Sequence, residues 1–214
     1  MAIAVLGTGK MGSGLARLWA RAGETVIVGS RDAAKAQGLA AEIAKEQPDA
    51  RVLGMENAAA AKAGNVVVLA VPYRQIAPLA RRLKPALKGK MAMDISNPLN
   101  ADFSGLTTRP TTSAAEEIAK VLGKGIPVVG AFKNTFASLL ANPGAAAPRH
   151  DVLVCGDDVK AKTIVTALVD RIGFRALDAG RLRAARTIEQ MTVLMIALDV
   201  RYHVGFTSGW HFTG

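Results

Sequence analysis

The chain has 214 residues, with 27 Lys and Arg against 17 Asp and Glu for a formal charge of +10. Half of the residues are hydrophobic and 21% are charged, which excludes a disordered or low-complexity chain and allows one domain with an appendage, or two small domains. No apolar run reaches the roughly 20 residues of a membrane span, and the lone Cys155 excludes an intramolecular disulfide and a Cys-rich metal site.

The N-terminal "MAIAVLG" runs straight into a strand, Ile3 to Leu6, so no signal peptide is expected and the expected location is cytoplasmic. Gly7-Thr8-Gly9-Lys10-Met11-Gly12 follows and fits G-x-G-x-x-G. The pattern gains its meaning from its context, a strand before it and an amphipathic helix, Met11 to Ala22, after it. Gly7 allows the tight turn, Gly9 lets backbone approach a pyrophosphate, and Gly12 lets helix pack closely on strand. The free N–H groups at the helix start, with the positive end of its dipole, make an anion site.

A second strand, Thr25 to Val28, leads to Gly29-Ser30-Arg31 and a helix from Asp32 to Lys45. An acidic residue at the end of this strand would accept the ribose hydroxyls of NAD and repel the 2′-phosphate of NADP. Here Ser30 can donate a hydrogen bond, the planar fork of Arg31 matches phosphate, and Lys35 adds a cation one turn along the same face. These donors favour NADP as the cofactor.

Next come a weak strand "RVLG", a strand "NVVVLAVP", a helix from Gln75 to Leu83, and strands "KMAMDIS" and "IPVVGAF". Continuous rather than alternating apolar strands separated by helices indicate a parallel sheet covered on both faces. The expected class is therefore α/β, a Rossmann-type doubly wound, mainly parallel sheet. A hydride-transfer site in such a fold forms at the loops after the later strands. They are "AVPYRQ" with Ala70, Val71, Pro72, Tyr73 and Arg74, "ISNPLN" with Asn97 and Pro98, and "GAFKNTFAS" with Ala131, Lys133, Asn134, Thr135 and Ala137.

The connector "NPGAAAPRH" after Asn142 marks the expected boundary between a nucleotide-binding domain, residues 1–142, and a small α/β part, residues 143–214. That part reads as strand "DVLVCG", a helix from about Asp158 to Arg171, strand "FRALDAG" and a helix from about Ala184 to His203. "MTVLMIAL" in the last helix is apolar nearly all the way round, so it should be buried, against the first domain or a second subunit. The second part is thus expected to complete the substrate cleft and to carry a homodimer interface. Cys155 should be an ordinary buried thiol.

No Tyr-x-x-x-Lys pattern and no nucleophile–His–Asp arrangement is legible. His150, His203 and His211 are expected to be packed or exposed, and Glu189 to pair with Arg186 or a neighbouring arginine. No catalytic acid or base and no metal site is expected. Such a site suits direct hydride transfer between two cofactors, which carry the chemistry while the protein orients them. The positive charge suits anionic partners. Its cations are spread along the chain, without the basic–aromatic interleaving of single-strand binders, so a small anionic molecule rather than nucleic acid is the expected partner.

"GTGKMGSGLA", "VIVGSRDAAKA", "AVPY", "VVGAFKNTFAS", "VLVCGDD" and "LDAGRLRAARTIE" together are similar to the NADPH-dependent reductases of coenzyme F420, over nearly the whole chain. The resemblance implies that Thr8 to Met11 contact the pyrophosphate and that Ser30, Arg31 and Lys35 hold the 2′-phosphate. It also implies that Pro72 and the Ala131 to Ala137 loop border the nicotinamide and the deazaflavin. Coenzyme F420, with its phosphate and oligoglutamate tail, would be the co-substrate and matches the positive charge. Lys133-Asn134 departs from the His-Thr or Asn-Thr of relatives, and the ending "FTSGWHFTG" departs from the apolar ending of archaeal members. The fold pattern also resembles the cytosolic domain of metalloreductases. A reductase of flavins or other electron acceptors, and a non-catalytic NADPH sensor, stand as alternatives.

Overall fold

A computed structural model describes residues 1–141 and 150–213. In chain order they form β1 (Ala2–Leu6), α1 (Lys10–Arg21), β2 (Thr25–Ser30), α2 (Ala33–Glu46), β3 (Val52–Glu56), α3 (Asn57–Ala63), β4 (Val66–Leu69), α4 (Tyr73–Leu83), β5 (Met91–Asp94) and α5 (Ala114–Leu122). They continue with β6 (Val128–Gly130), β7 (Asp151–Gly156), α6 (Val159–Asp170), β8 (Arg175–Asp178) and α7 (Ala185–Tyr202). The expected boundary at Asn142 lies outside the described residues. Among the described residues no helix is long and apolar enough to cross a membrane.

The strands form one eight-stranded sheet in the order β3-β2-β1-β4-β5-β6-β7-β8. Every pairing from β3 to β6 is parallel, β6 and β7 are antiparallel, and β8 runs parallel to β7. Chain order reverses between β1 and β4, and the carboxyl ends of strands on either side of such a point leave a crevice for ligands. The apolar runs form central strands because both faces are covered: all four residues of β4 and of β5 are buried.

Helix starts follow local chemistry. Asp32 caps α2 by accepting from Ala34 N–H at 3.0 Å, and Asp158 caps α6 by accepting from Ala161 N–H at 2.8 Å. The sequence reading missed α3 and α5. For α3, "NAAAAKA" has no apolar stripe to show a helical period. For α5 a signal existed, the Ser-x-x-Glu pattern of a capping box: Ser113 Oγ accepts from Glu116 N–H at 3.2 Å, the N-cap half of that box, while the Glu116 carboxylate takes the Ser113 hydroxyl at 2.9 Å instead of its backbone N–H.

A run of aromatic rings joins the N-terminal and C-terminal halves. Fully buried Trp19 of α1 meets Phe132, after β6, edge to face at 6.1 Å, and Phe132 meets Phe174, before β8, at 5.9 Å. The indole N–H of Trp19 donates to the carbonyl of Leu168 on α6 at 3.0 Å, so the ring's polar edge is satisfied inside the core. Each ring contributes about 1.5–3 kcal/mol through burial alone.

In α7 the outcome is mixed. Thr192, Met195 and Ile196 are buried, but Leu194 is 51% exposed and Leu198 39% exposed, so within one copy the apolar circumference is only half covered. Glu189 does not pair with Arg186, as the sequence suggested. Arg186 faces α5 and makes two hydrogen bonds to the Glu116 carboxylate, at 2.6 and 2.8 Å. Glu189 belongs instead to the inward stripe of Ala185, Ile188 and Thr192 and meets Lys133. Cys155 is buried, and burial pushes its thiol up to about 11.

Candidate functional site

At the carboxyl end of the sheet, beside the β1–β4 reversal, lies a cleft of about 660 Å³. Its floor is the turn between β1 and α1. Gly7 has φ +128°, a conformation that L side chains rarely adopt, and a Cβ there would lie 2.2 Å from the carbonyl oxygen of Ala70. A Cβ on Gly12 would lie 2.1 Å from the carbonyl oxygen of Gly7. These two glycines serve the protein's own packing.

Gly9 differs, because a Cβ there would meet nothing within 4 Å. Gly9 is the N-cap of α1, no side chain caps that helix, and its first turn carries no acid. Gly9 lines the cleft, so the space beside it is where a ligand's anionic group would approach the free N–H groups. Gly9→Ala is therefore expected to lower the thermal midpoint by only about 1–4 °C, the cost of Ala at a helix N-cap, and to weaken NADPH binding about tenfold or more, read by calorimetric titration beside a melting curve.

One wall is the end of β2. Ser30, Arg31 and Lys35 all line the cleft, and the latter two are exposed. Ser30 Oγ accepts from Asp32 N–H at 3.2 Å, which leaves its own proton for a ligand. The acid nearest in sequence, Asp32, is spent on capping α2. Among the described residues Arg31 and Lys35 have no acidic partner, so their charge is uncompensated and aimed at the cleft.

The opposite wall is Ala70, Val71 and Pro72 after β4, with Arg74, Gln75, Pro78, Leu79 and Arg82 of α4. Arg82 and Asn57 are lining residues the sequence reading missed. The signal for Arg82 was available, since residues 74, 75, 78, 79 and 82 repeat at three- and four-residue spacing along one helix face. Arg82 lies 3.6 Å from Glu56, both side chains about half exposed, so it adds positive charge to the cleft's rim.

The structure thus brings Gly7, Thr8, Gly9, Ser30, Arg31, Lys35, Ala70, Val71 and Pro72 together along one cleft. The other sequence candidates stand behind or beside it. Lys10, Met11 and Gly12 begin α1. Tyr73 begins α4 and donates its hydroxyl to Glu117; burial and that carboxylate push the phenol well up, so it stays protonated at neutral pH. Pro98 accepts at its carbonyl from Thr107 N–H at 2.7 Å, and Asn97 donates to the carbonyl of Lys133 at 2.7 Å. Ala131 donates its N–H to the carbonyl of Asp94 at 3.1 Å. Asn134 donates to Asp151 O at 2.7 Å and accepts from Leu153 N–H at 3.2 Å, which fastens its loop to β7. Thr135 is buried, and Ala137 opens a short 3-10 turn.

Lys133, read from sequence as one of the cations on the substrate side, has its side chain in the interior, with no exposed surface. Its ammonium donates to Asp94 Oδ2 at 2.6 Å, to Glu189 Oε1 at 2.9 Å and to the carbonyl of Ser96 at 2.5 Å. Burial opposes its charge, but the Asp94 and Glu189 carboxylates outweigh burial and hold the ammonium above its ordinary range.

A Gly-rich turn opening a helix at the switch point of a mainly parallel sheet, with two cations just after β2 that have no acidic partner among the described residues, defines an NADP-dependent oxidoreductase of Rossmann type. Comparison with known proteins narrows the class. Residues 2–98 match the family model described as NADP oxidoreductase, coenzyme F420-dependent. The chain is 40% identical to the F420-dependent NADP reductase of Methanocaldococcus jannaschii, over 94% of each chain. A solved structure of a putative F420-dependent NADP reductase from Arthrobacter superposes with a TM-score of 0.81 at 30% identity, covering 99% of both chains. A metalloreductase of Rattus norvegicus is 29% identical over 91% of this chain, which corresponds to 37% of that protein. The chain belongs to the coenzyme F420-dependent NADP oxidoreductase family.

Proposed function

We propose that this protein transfers a hydride between NADP(H) and coenzyme F420. The observation that carries the NADP half is the uncompensated Ser30–Arg31–Lys35 group facing the cleft beside the open N-terminus of α1. The F420 half rests on full-length similarity to reductases named for that coenzyme.

In this reading the α1 N–H groups, with Thr8 to Met11, bind the pyrophosphate, and Ser30, Arg31 and Lys35 hold the 2′-phosphate. Pro72, Tyr73, Asn97, Pro98 and the Ala131 to Ala137 loop border the reacting rings. When bound, NADP(H) supplies the hydride chemistry. The side chains orient the rings and exclude water, and none of them acts as an acid or base; Lys133 is consumed by its carboxylates and Tyr73 by Glu117.

Residues 1–142 then form the NADP-binding part, and residues 143–214 complete the substrate cleft and pair two copies through α7. Leu194, Leu198 and Tyr202, at four-residue spacing along one face of that helix, are 51%, 39% and 68% exposed, the kind of patch a partner covers. A sedimentation mass of one copy at micromolar concentration would remove the homodimer. A cytoplasmic location goes with this reading.

The decisive assay mixes purified protein with NADPH and follows the absorbance of F420, with FMN in a parallel cuvette. Turnover with F420 in either direction supports the assignment. Turnover with FMN alone replaces it with a flavin reductase, and NADPH binding without turnover replaces it with a sensor.

A further inference from the structure

Lys133, Asp94 and Glu189 form a cluster in which every side chain is fully buried. Two carboxylates face one ammonium. Glu189 takes the backbone N–H of Ala114 on Oε1 at 3.1 Å and Oε2 at 3.2 Å, and Lys133 on Oε1. Asp94 takes the N–H and the hydroxyl of Ser96 on Oδ1, at 3.0 and 2.7 Å, and Lys133 on Oδ2. The ammonium and the backbone N–H groups of Ala114 and Ser96 that meet these carboxyls can only donate, the surroundings of ionised carboxylates. One negative charge is left over, in the interior.

The place of that charge is set by the sheet. Asp94, the last residue of β5, pairs in register with Leu69, the last residue of β4. Ala70, Val71 and Pro72, which follow Leu69, are the cleft wall, and neighbouring strands lie only about 4.8 Å apart. Tyr73 follows Pro72 in sequence, and its phenol is raised first by burial and by Glu117, with Glu189 and Asp94 adding to the same direction. The carbonyl of Lys133 also accepts from Asn97 Nδ2 and from Thr192 Oγ1, each at 2.7 Å, so the cluster is fixed to both loops that border the reacting rings. Burying such a group is expensive, and well-packed apolar residues of similar volume often serve stability as well or better.

We infer that the buried Lys133–Asp94–Glu189 cluster is a positioning and electrostatic device of the reaction, a fixed negative charge behind the cleft wall that favours the oxidised over the reduced nicotinamide. The inference rests on the proposed NADP reading. The nicotinamide ring carries one positive charge in NADP+ and none in NADPH, so a rigid anion behind the wall acts on one form only. A pre-set charge of this kind needs no reorganisation when charge develops on the ring.

The test is calorimetric titration of NADP+ and of NADPH into the purified protein and three variants. Glu189→Gln and Asp94→Asn each cancel the surplus charge from a different carboxylate, and Thr192→Val removes a hydrogen bond to Lys133 without changing charge. Both carboxylate variants are expected to weaken NADP+ relative to NADPH by about fivefold, since only the oxidised ring carries a charge for the surplus anion to attract; Thr192→Val leaves the ratio unchanged. Equal effects on the two cofactor forms, a ratio shift in Thr192→Val as large as in the carboxylate variants, or failure of both carboxylate variants to fold would reduce the cluster to a structural role and overturn the inference while the NADP reading stands. Absence of binding of either form to the unmodified protein would overturn both.

Discussion

Arg31→Ala is expected to raise the KM for NADPH roughly 10- to 100-fold, the effect of losing a charge-assisted hydrogen bond of about 1.5–3 kcal/mol. The KM for NADH should stay within about twofold, since NADH carries no 2′-phosphate for the guanidinium to hold. The expectation follows from the cleft: Arg31 lines it, is exposed to it, and has no acidic partner among the described residues, so nothing in the protein already uses its fork. Lys35 and Arg82 stand in the same cleft and keep part of the affinity, so the single variant retains measurable NADPH turnover. Initial-rate kinetics with both cofactors decides the matter. Equal losses for NADPH and NADH would show that Arg31 shapes the pocket rather than reading the phosphate, and the argument from β2 would fall.

The second large effect concerns stability. Lys133→Met should lower unfolding stability by about 3–5 kcal/mol, because removing the ammonium strands the Asp94 and Glu189 carboxylates against each other in the interior. For a chain of this length that is a fall of roughly 10 °C in thermal midpoint. The deficit should also depend on pH with a definite sign. Glu189 already has its carboxyl held above the ordinary range, by burial first, and the neighbouring Lys133 counteracts that shift. Without Lys133 the shift grows. A carboxyl whose folded pKa lies above its unfolded one costs no stability below the unfolded value, and the cost grows as pH rises from the unfolded value through the folded value. The variant should therefore lie closer to the unmodified protein at pH 5 than at pH 8 in paired melting curves. A deficit that is constant with pH, or larger at pH 5, would show that the lost stability is packing and not stranded charge.

Much of the molecule was legible in the sequence, and for identifiable reasons. The turn from Gly7 to Gly12, the strand ending in Ser30 and Arg31, and the continuous apolar runs are local features. Each depends on residues close together in the chain, and each fixes a conformation or a donor whatever lies further away. Parallel order follows as well, because fully apolar strands joined by helices have no other way to bury both faces. These features suffice for the class of fold and for the class of chemistry.

What the sequence could not determine depends on residues far apart. Nothing local distinguishes Lys133, fully buried between Asp94 and Glu189, from a solvated cation at the mouth of a site. Its partners lie 39 and 56 positions away and meet it only because β5, β6 and α7 converge. For the same reason the sequence offers Arg186 as the partner of Glu189, although three-dimensional packing gives Arg186 to Glu116 on α5. Arg82 joined the cleft only once α4 was set against the end of β3. The sequence by itself determined the sheet, the Gly7 to Gly12 turn and the sign of charge at the end of β2, since backbone sterics and short-range donors settle those. The tertiary structure alone decided which charges are consumed in the interior and which face the cleft, since the value of a charge depends on the dielectric and the partners around it, and only the folded chain supplies both.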